Sequence, residues 1–395
     1  MTAPAPFAVG DRVEARTGPV AHGGHVVARV RPPVVEPVET RDVVVFVRHA
    51  LPAELVVVEI TEVSKSFLRG DAVEVLEASP DRVSAPCPLA HPGGCGGCDF
   101  QHVVLPAQRR LKADVIAEQL RRLAGLEREV VVEAVEPTLR WRTRMQYVGL
   151  PGGAVGLRKH RSHDVIEVED CLIAAPDARI TVVEEGAGQG GRAASSRAIG
   201  RDPAAVIESV LGHDFRVAAD GFWQVHPDAP RVLVEAVLEL LGPRPGERAL
   251  DLYAGVGLFS VFLAEAVGRT GGVISVESDR RASDLAGENL SAYPQAATRA
   301  GRVDQVLHQG IGSARAIDLV VLDPPREGAK RKVVDAIAAL RPRAVAYVAC
   351  DPAALARDVA YFRDAGYDLA ELRAFDLFPM THHVECVALL VPTAD

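Results

Sequence analysis

The alternation of apolar runs and helical segments in the C-terminal half constrains the fold most. The run 344–349 is typical of a buried parallel strand, and Cys350 ends it before an Asp-Pro pair that predicts a helix start. The segments GERALDLYAGVG and IDLVVLDPPREG likewise predict strands that are followed by a glycine-rich or a polar turn. This pattern predicts a doubly wound α/β sheet, in which ligands bind beyond the carboxyl ends of the strands.

Cys350 is therefore a candidate nucleophile at such a ligand-binding edge. The first N–H groups of the following helix are expected to favour its thiolate. The alternative is a core residue, because cysteine is among the most buried residue types. The motifs found elsewhere in the chain distinguish a nucleophile from a core residue.

Length and charge narrow the classes of protein that fit. The 395 residues predict two or three domains, and no apolar run reaches the roughly 20 residues of a membrane span. The N-terminal sequence lacks a basic region followed by an apolar one, so we expect a cytoplasmic protein. A net charge of −9 argues against nucleic-acid binding by the whole surface, but residues 101–165 carry 12 Arg and Lys against 7 Asp and Glu.

The N-terminal segment 7–79 is rich in valine. Its apolar stretches recur at hairpin spacing and predict five short strands, which favours a small β-barrel. An unrelated structural barrel remains an alternative to a nucleic-acid-binding one.

Three of the six cysteines cluster in a Gly/Pro-rich loop. Cys87, Cys95 and Cys98 have seven and two residues between them, and Cys171, after a predicted strand, is a candidate fourth ligand. Such clusters in a protein without secretory features indicate a metal site rather than disulfides. The spacing alone leaves zinc and iron–sulfur both open.

The segments that follow predict a basic surface and a linker. Residues 106–124 read as an amphipathic basic helix, and the strand-rich piece after it carries alternating arginines suited to phosphates. Trp141 and Tyr147 lie in the same piece and could pack in the protein or stack on bases. Residues 181–205, rich in Gly, Ala and Ser, predict a loop.

A glycine turn and an acidic strand end predict a cofactor site, and a further acidic residue lies inside an apolar strand. Asp251, Gly255 and Gly257 form a D-x-x-x-G-x-G turn between a strand and a helix, where the backbone closes around a ligand. Glu277 ends the next strand, in the position of a carboxylate that accepts a ribose diol. Glu385 lies inside an apolar strand and must have either a partner or a function.

Six motifs together resemble the S-adenosylmethionine-dependent RNA uracil-C5 methyltransferases, in their iron–sulfur-containing branch. The motifs are CPLAHPGGCGGCDFQHV, GFWQVH, LDLYAGVGLFS, LDPPREG, ACDPAALARD and FDLFPMTHHVE. Many members of the family read Ser-Cys-Asn-Pro where this chain reads Ala-Cys-Asp-Pro. The N-terminal segment resembles a TRAM-type domain, an OB-like barrel that implies RNA binding.

The resemblance implies a role for each matching residue. Cys350 would be the nucleophile, Glu385 the general base, and Phe222 would pack against the target base. The residues implied in binding S-adenosyl-L-methionine are Gln224, Tyr253, Gly255, Gly257, Glu277 and Asp323. The residues implied in holding a 4Fe–4S cluster, with zinc the less favoured metal, are Cys87, Cys95, Cys98 and Cys171.

The implied architecture has three parts. These are a TRAM-type β-barrel over 1–80, a small α+β iron–sulfur domain that contacts RNA over 81–220, and a Rossmann-like class I methyltransferase domain over 221–395. The expected substrate is a flipped-out or single-stranded uridine in rRNA or tRNA, with neither a membrane nor an obligate protein partner. The alternatives are a methyltransferase acting on another substrate and a catalytically silent RNA-binding protein.

Overall fold

The structure, a computed structural model, describes residues 7–31, 42–183, 205–311 and 316–394. Most of the loop predicted over 181–205 lies outside these residues, although residues 181–183 belong to a strand. None of the helices within the described ranges is long and apolar enough to cross a membrane.

The N-terminal segment forms a closed five-stranded barrel, which confirms the prediction. Its strands follow one another around the barrel in the order β1-β2-β3-β5-β4. They are β1 (Arg12–Ala21), β2 (His25–Val30), β3 (Val43–Arg48), β4 (Leu55–Val63) and β5 (Leu68–Glu77). Because successive side chains of a strand face opposite sides, alternate valines such as Val45 and Val47, or Val56 and Val58, are fully buried inside.

The central segment contributes a helix, a small sheet and a hairpin. The helix α1 (Leu105–Gln119) continues as one π-helical turn, Leu120–Ala124. The strands are β6 (Val132–Ala134), β7 (Arg142–Gly149), β8 (Val155–Arg158), β9 (Val165–Glu167), β10 (Ala174–Val183), β11 (Val206–Val210) and β12 (His213–Val217), with a short 3-10 helix at Pro151–Gly153. Strands β7 to β10 form a sheet in the order β10-β7-β8-β9, and β11 pairs with β12.

The C-terminal part is built on an eight-stranded sheet in the order β15-β14-β13-β16-β17-β19-β18-β6. Its strands are β13 (Arg248–Leu252), β14 (Gly272–Glu277), β15 (Ala296–Ala300), β16 (Leu319–Leu322), β17 (Ala344–Ala349), β18 (Tyr367–Asp376) and β19 (Glu385–Pro392). Its helices are α2 (Ala229–Leu241), α3 (Leu258–Val267), α4 (Arg280–Asn289), α5 (Val303–Gln309), α6 (Lys330–Ala339) and α7 (Pro352–Asp364). The first five strands are parallel, whereas β19 runs antiparallel to both of its neighbours.

The short strand β6 adds to the outer edge of this sheet, where it pairs in parallel with β18. A piece of the segment assigned to the central domain thus extends the C-terminal sheet. The domain limits at residues 80 and 220 remain a prediction.

Helices cover both faces of the sheet, because side chains along the strands alternate between two hydrophobic clusters. In β17, Ala346 and Val348 pack with α2 and α3, whereas Val345 and Tyr347 pack with α6, α7 and the end of α1. Burial on both faces explains why the parallel strands read as continuous apolar runs. Continuing the alternation by one residue turns Cys350 toward the α2 and α3 side.

Helix α1 joins the parts together through buried polar contacts. The helix predicted at 106–124 is present, but Lys112 is fully buried, with its Nζ 2.6 Å from Oδ1 of Asp376 in β18. Nearby, the backbone N–H of Met380 donates to Gln108 Oε1 at 2.9 Å. These contacts fix the segment between β18 and β19 that leads to Glu385.

Candidate active site

A cleft of about 1100 Å³ opens at the carboxyl ends of the parallel strands, where a doubly wound sheet binds ligands. Every residue predicted for catalysis or cofactor binding lines it except Gly257. Those residues are Gln224, Tyr253, Gly255, Glu277, Asp323, Cys350 and Glu385. Gly257 instead precedes α3 with a φ of +86°, a left-handed conformation that favours glycine.

Cys350 and Glu385 are brought together by the antiparallel pairing of β17 with β19. The register places Ala349 opposite Cys386, so the next positions, Cys350 and Glu385, lie across from each other on the same face. Both side chains line the cleft. Cys386 points to the other face and is fully buried in the core, as its neighbouring position predicts.

Glu385 has no hydrogen-bond or ion-pair partner among the described residues, although it is only 3% exposed. Burial, reinforced by the nearby Asp323 carboxylate, holds its pKa well above the usual range, against the opposing effect of Arg326. Burial also raises the pKa of Asp323 to about 7. Because the Asp323 carboxylate disfavours ionisation of Glu385, the two buried carboxyl groups do not both ionise readily and retain a proton near neutral pH.

The prediction that the helix N–H groups lower the pKa of Cys350 is wrong. Burial, followed by Glu385 and Asp323, raises the pKa of the thiol to about 12. The Ala354 N–H at the start of α7 is also taken, because it donates to the Asp351 side chain at 2.8 Å. A cleft that combines acidic groups with a protonated thiol favours a cationic ligand, which would stabilise the ionised forms.

The glycine turn holds an acidic residue at the side of the cleft. The N–H of Gly255 donates to Glu277 Oε2 at 2.9 Å, and the N–H of Asp279 donates to Oε1 at 2.7 Å. Beneath the turn, the fully buried Asp251 accepts from Ser260 Oγ at 2.5 Å, and burial raises its pKa to about 7. The Glu277 carboxylate is thereby oriented by backbone donors before any ligand arrives.

An exposed aromatic ring, on a loop braced by an arginine, forms another wall of the cleft. Arg144 donates to the carbonyls of Gly221 and Trp223, the second at 2.7 Å, and so braces the loop that carries Phe222. Phe222 is 71% exposed over the cleft. Arg142 also lines the cleft, whereas Trp141 is fully buried and therefore packs in the core.

The four predicted metal-ligating cysteines converge on a second cavity. A hollow of about 270 Å³ is lined by Cys87, Cys95, Cys98 and Cys171, together with Arg142. Burial raises the pKa of the Cys98 thiol to about 12, with Cys171 and Cys95 contributing. Across the residues that the structure describes, no three His, Cys, Asp or Glu side chains form a group that could hold a metal ion. The cluster therefore stays a prediction.

Sequence reasoning missed His22, which lies in the turn between β1 and β2. Its Nε2 is 2.9 Å from Oδ2 of Asp351, the residue after Cys350. The two residues are 329 positions apart, so no local pattern links them. The available signal in the sequence was a histidine directly before the Gly-Gly pair of a predicted hairpin turn, which marks a polar side chain at the tip of the barrel.

Comparisons with known proteins agree with this architecture. The sequence profile of the tRNA (uracil-5-)-methyltransferase family matches residues 295–392, and that of the TRAM domain matches residues 6–73. An uncharacterized RNA methyltransferase of Streptomyces avermitilis is 46% identical over 98% of this chain and 99% of its own. One of Streptomyces coelicolor is 44% identical over 98% and 94%.

A solved structure has the same fold over nearly the whole chain. The tRNA (uracil-54, C5)-methyltransferase of Pyrococcus abyssi, in complex with S-adenosyl-L-homocysteine, superposes with a TM-score of 0.69 at 21% identity, covering 96% of this chain and 100% of that one. This likeness confirms the predicted class I methyltransferase fold next to an OB-like barrel. The family profile and the Streptomyces relatives together show that the chain belongs to the tRNA (uracil-5-)-methyltransferase family of RNA methyltransferases.

Proposed function

We propose that this protein transfers the methyl group of S-adenosyl-L-methionine to C5 of a uridine in rRNA or tRNA, forming 5-methyluridine. Cys350 acts as the nucleophile and Glu385 as the general base. The observation that supports this most directly is that a thiol and a buried carboxyl without a hydrogen-bond partner lie side by side in one cleft. A buried carboxyl without a partner destabilises a fold, so its presence favours a chemical role.

The cofactor site is assigned to the acidic part of the cleft. Gln224, Tyr253, Glu277 and Asp323 line it, and Gly255 and Gly257 shape the turn beside it. The Glu277 carboxylate suits the hydroxyls of a ribose, and the Asp323 carboxylate suits a cationic group. When bound there, S-adenosyl-L-methionine supplies a methyl group on a positively charged sulfonium.

The roles of the two catalytic side chains follow from the chemistry of uracil. C5 is a poor nucleophile until the Cys350 thiolate adds to C6, which forms a C–S bond and leaves an enolate. C5 then takes the methyl group, and the Glu385 carboxylate removes the C5 proton. The released electron pair re-forms the C5–C6 double bond and expels the thiolate. A carboxyl whose pKa is raised by burial is better suited to take this proton near neutral pH.

Recognition of RNA is assigned to the mouth of the cleft. Cys350 is partly buried beyond the sheet, so a base within a helix cannot reach it and must be flipped out or single-stranded. Phe222 is exposed at the right place to stack on such a base, with the Arg144 guanidinium 5.8 Å from its ring centre. The TRAM barrel is expected to hold the surrounding RNA.

A covalent trap tests the function. Full-length protein with S-adenosyl-L-methionine should form an adduct with 5-fluorouridine-containing RNA that survives denaturation, because fluorine cannot leave as a proton does. Cys350→Ala should abolish both the adduct and the transfer of methyl to uridine RNA, whereas Cys386→Ala, which changes the cysteine next to Glu385 on the opposite face, should retain both.

Each alternative has its own outcome in the same experiment. Methyl transfer that survives in Cys350→Ala would indicate a methyltransferase of another type. No transfer to any uridine-containing rRNA or tRNA by the unchanged protein would favour an RNA-binding protein without this activity.

The cysteine cavity is proposed to hold a 4Fe–4S cluster through Cys87, Cys95, Cys98 and Cys171. Four thiol ligands around one hollow fit the donor set of such a cluster. Two sulfurs accept hydrogen bonds of the kind that tune cluster thiolates, Cys98 from Gln101 Nε2 at 3.3 Å and Cys95 from the Gly97 N–H at 3.4 Å. Anaerobically purified protein should contain iron and sulfide, and the Cys98→Ser variant should contain less of both. Zinc in place of iron and sulfide would contradict the proposal.

A further inference from the structure

We infer that the N-terminal barrel takes part in the reaction through His22, which pairs with Asp351 and thereby positions the nucleophile Cys350. His22 is a positioning residue rather than a catalytic one, since it acts through Asp351. The inference rests on the proposed role of Cys350 and extends it, because it makes the barrel part of the active site rather than only a surface that holds RNA.

Asp351 is held at both of its carboxylate oxygens. Oδ1 accepts the N–H of Ala354 and so caps helix α7, at 2.8 Å. Oδ2 lies 2.9 Å from His22 Nε2. A rotation of Asp351 would therefore break the helix cap or the contact with the barrel, and it would move Cys350, its immediate neighbour in the chain.

The same barrel turn also touches the segment that leads to Glu385. Gly24 packs so tightly on His382 that a Cβ built at Gly24 would lie 2.7 Å from the His382 Cβ. His382 is fixed in turn by Asp99, whose Oδ2 is 2.6 Å from His382 Nδ1. The β1–β2 turn thus contacts the residue after the nucleophile and a residue shortly before the base.

A small cavity lies between this turn and the nucleophile. It measures about 130 Å³, and its lining includes His22, Gly24, Asp351 and Cys350. Cys350 therefore has the cofactor cleft on one side and the barrel on the other. A displacement of the β1–β2 turn would therefore change the surroundings of the Cys350 sulfur directly.

Charge gives the pair a second role. The hydrogen bond that His22 donates to Asp351 raises the pKa of His22 above 6.5, although burial opposes it. Asp351 is one of the groups that raise the pKa of Cys350. A protonated His22 offsets that negative charge and favours the thiolate. Asp351 places a negative charge next to the thiol, and His22 supplies the opposite charge.

Other charged groups also lie around His22. Glu118 of α1 also raises the pKa of His22. The small cavity is further lined by Lys112, Arg326, His382 and His383. Lys112 is already paired with Asp376, and Arg326 lies 3.4 Å from His383, so Asp351 is the carboxylate that His22 pairs with directly.

The test measures the rate of adduct formation with 5-fluorouridine RNA in a pH series from about pH 6 to about pH 9. His22→Asn should slow the rate by about threefold at the acidic end, as fits a partly exposed ion pair. The difference from the unchanged protein should shrink as the pH rises past the pKa of His22, because the imidazole then loses its charge and only its hydrogen bond to Asp351 remains. In an Asp351→Asn background, His22→Asn should have no further effect at any pH.

A matched control is offered by His213, which pairs with Glu265 at 3.1 Å without lining the cleft. His213→Asn breaks the same kind of pair and should leave the adduct rate unchanged. Thermal midpoints of the four proteins in the 22/351 cycle measure the coupling without RNA, and the two substitutions should be less than additive.

Three results would overturn the inference. The first is an adduct rate in His22→Asn that equals that of the unchanged protein at every pH. The second is a loss that is the same at every pH and accompanied by a lower thermal midpoint, which indicates a structural role. The third is additive effects in the double variant. If the unchanged protein forms no adduct at all, the proposed function falls, and this inference falls with it.

Discussion

Two buried acids on neighbouring strands have different surroundings. Asp376 ends β18 and Glu385 begins β19, with Phe375 paired directly opposite Glu385. The side chain of Asp376 is 1% exposed and lies 2.6 Å from Nζ of Lys112, a residue of α1. Glu385 is 3% exposed and has no such partner among the described residues.

This difference separates a structural acid from one available for chemistry. A paired buried charge stabilises the arrangement only while both partners are present, and removing one is strongly destabilising. Burial raises the pKa of an unpartnered carboxyl, so its carboxylate form is a stronger base once a cationic ligand favours ionisation. The two sites should therefore respond in opposite ways to substitution.

Glu385→Gln is expected to have the largest effect on activity. Removing the base should lower kcat by about 10²- to 10⁴-fold, while the thiolate addition step remains possible. A covalent protein–RNA species carrying the transferred methyl group should therefore accumulate with ordinary uridine RNA, measured by denaturing electrophoresis with labelled methyl donor. A thermal midpoint at or above that of the unchanged protein is expected; a large fall would show that Glu385 is structural.

Lys112→Met should have the largest effect on stability. It leaves Asp376 buried and unpaired, so the free energy of unfolding should fall by about 3–5 kcal/mol in urea titrations. The double replacement Lys112→Met with Asp376→Leu removes both charges and should recover most of this loss. Equal losses in the single and double variants would show that packing, not the ion pair, is what the lysine provides.

The smallest effect concerns pH and the acidic cleft. Because the pKa of Asp323 is about 7 in the folded protein and 3.8 in its unperturbed form, the folded state binds the proton more tightly. Stability from this group is complete at pH below 3.8 and is lost as the pH rises toward about 7. Between about pH 5 and about pH 8, the thermal midpoint of Asp323→Asn should fall about 2–4 °C less than that of the unchanged protein. Parallel curves would contradict the raised pKa.

Local patterns in the sequence predict much of this molecule. The apolar run before Cys350, the Asp351 cap and the valine alternation of the barrel each have a local physical cause, and each appears in the structure. The glycine turn after β13 likewise occupies the side of the cleft. These features depend on residues that are close in the chain.

Long-range contacts account for what the sequence analysis did not predict. Lys112 reads as part of a basic helical face, yet its partner Asp376 is 264 residues away. The pKa of Cys350 depends on carboxyl groups at the ends of two other strands, Asp323 just after β16 and Glu385 at the start of β19, which no helix-start pattern reveals. The contact between His22 and Asp351 depends on how the barrel docks against the sheet.

The pairing of β6 with β18 has a consequence for how this protein can be divided. Strand β6 hydrogen-bonds along the outer edge of the large sheet, so a fragment starting at the β11–β12 hairpin would leave the backbone N–H and C=O groups of β18 open to other chains. Such a fragment would also lack Lys112. The C-terminal half is thus not expected to fold as an independent unit, and removing the N-terminal half should give an aggregating product.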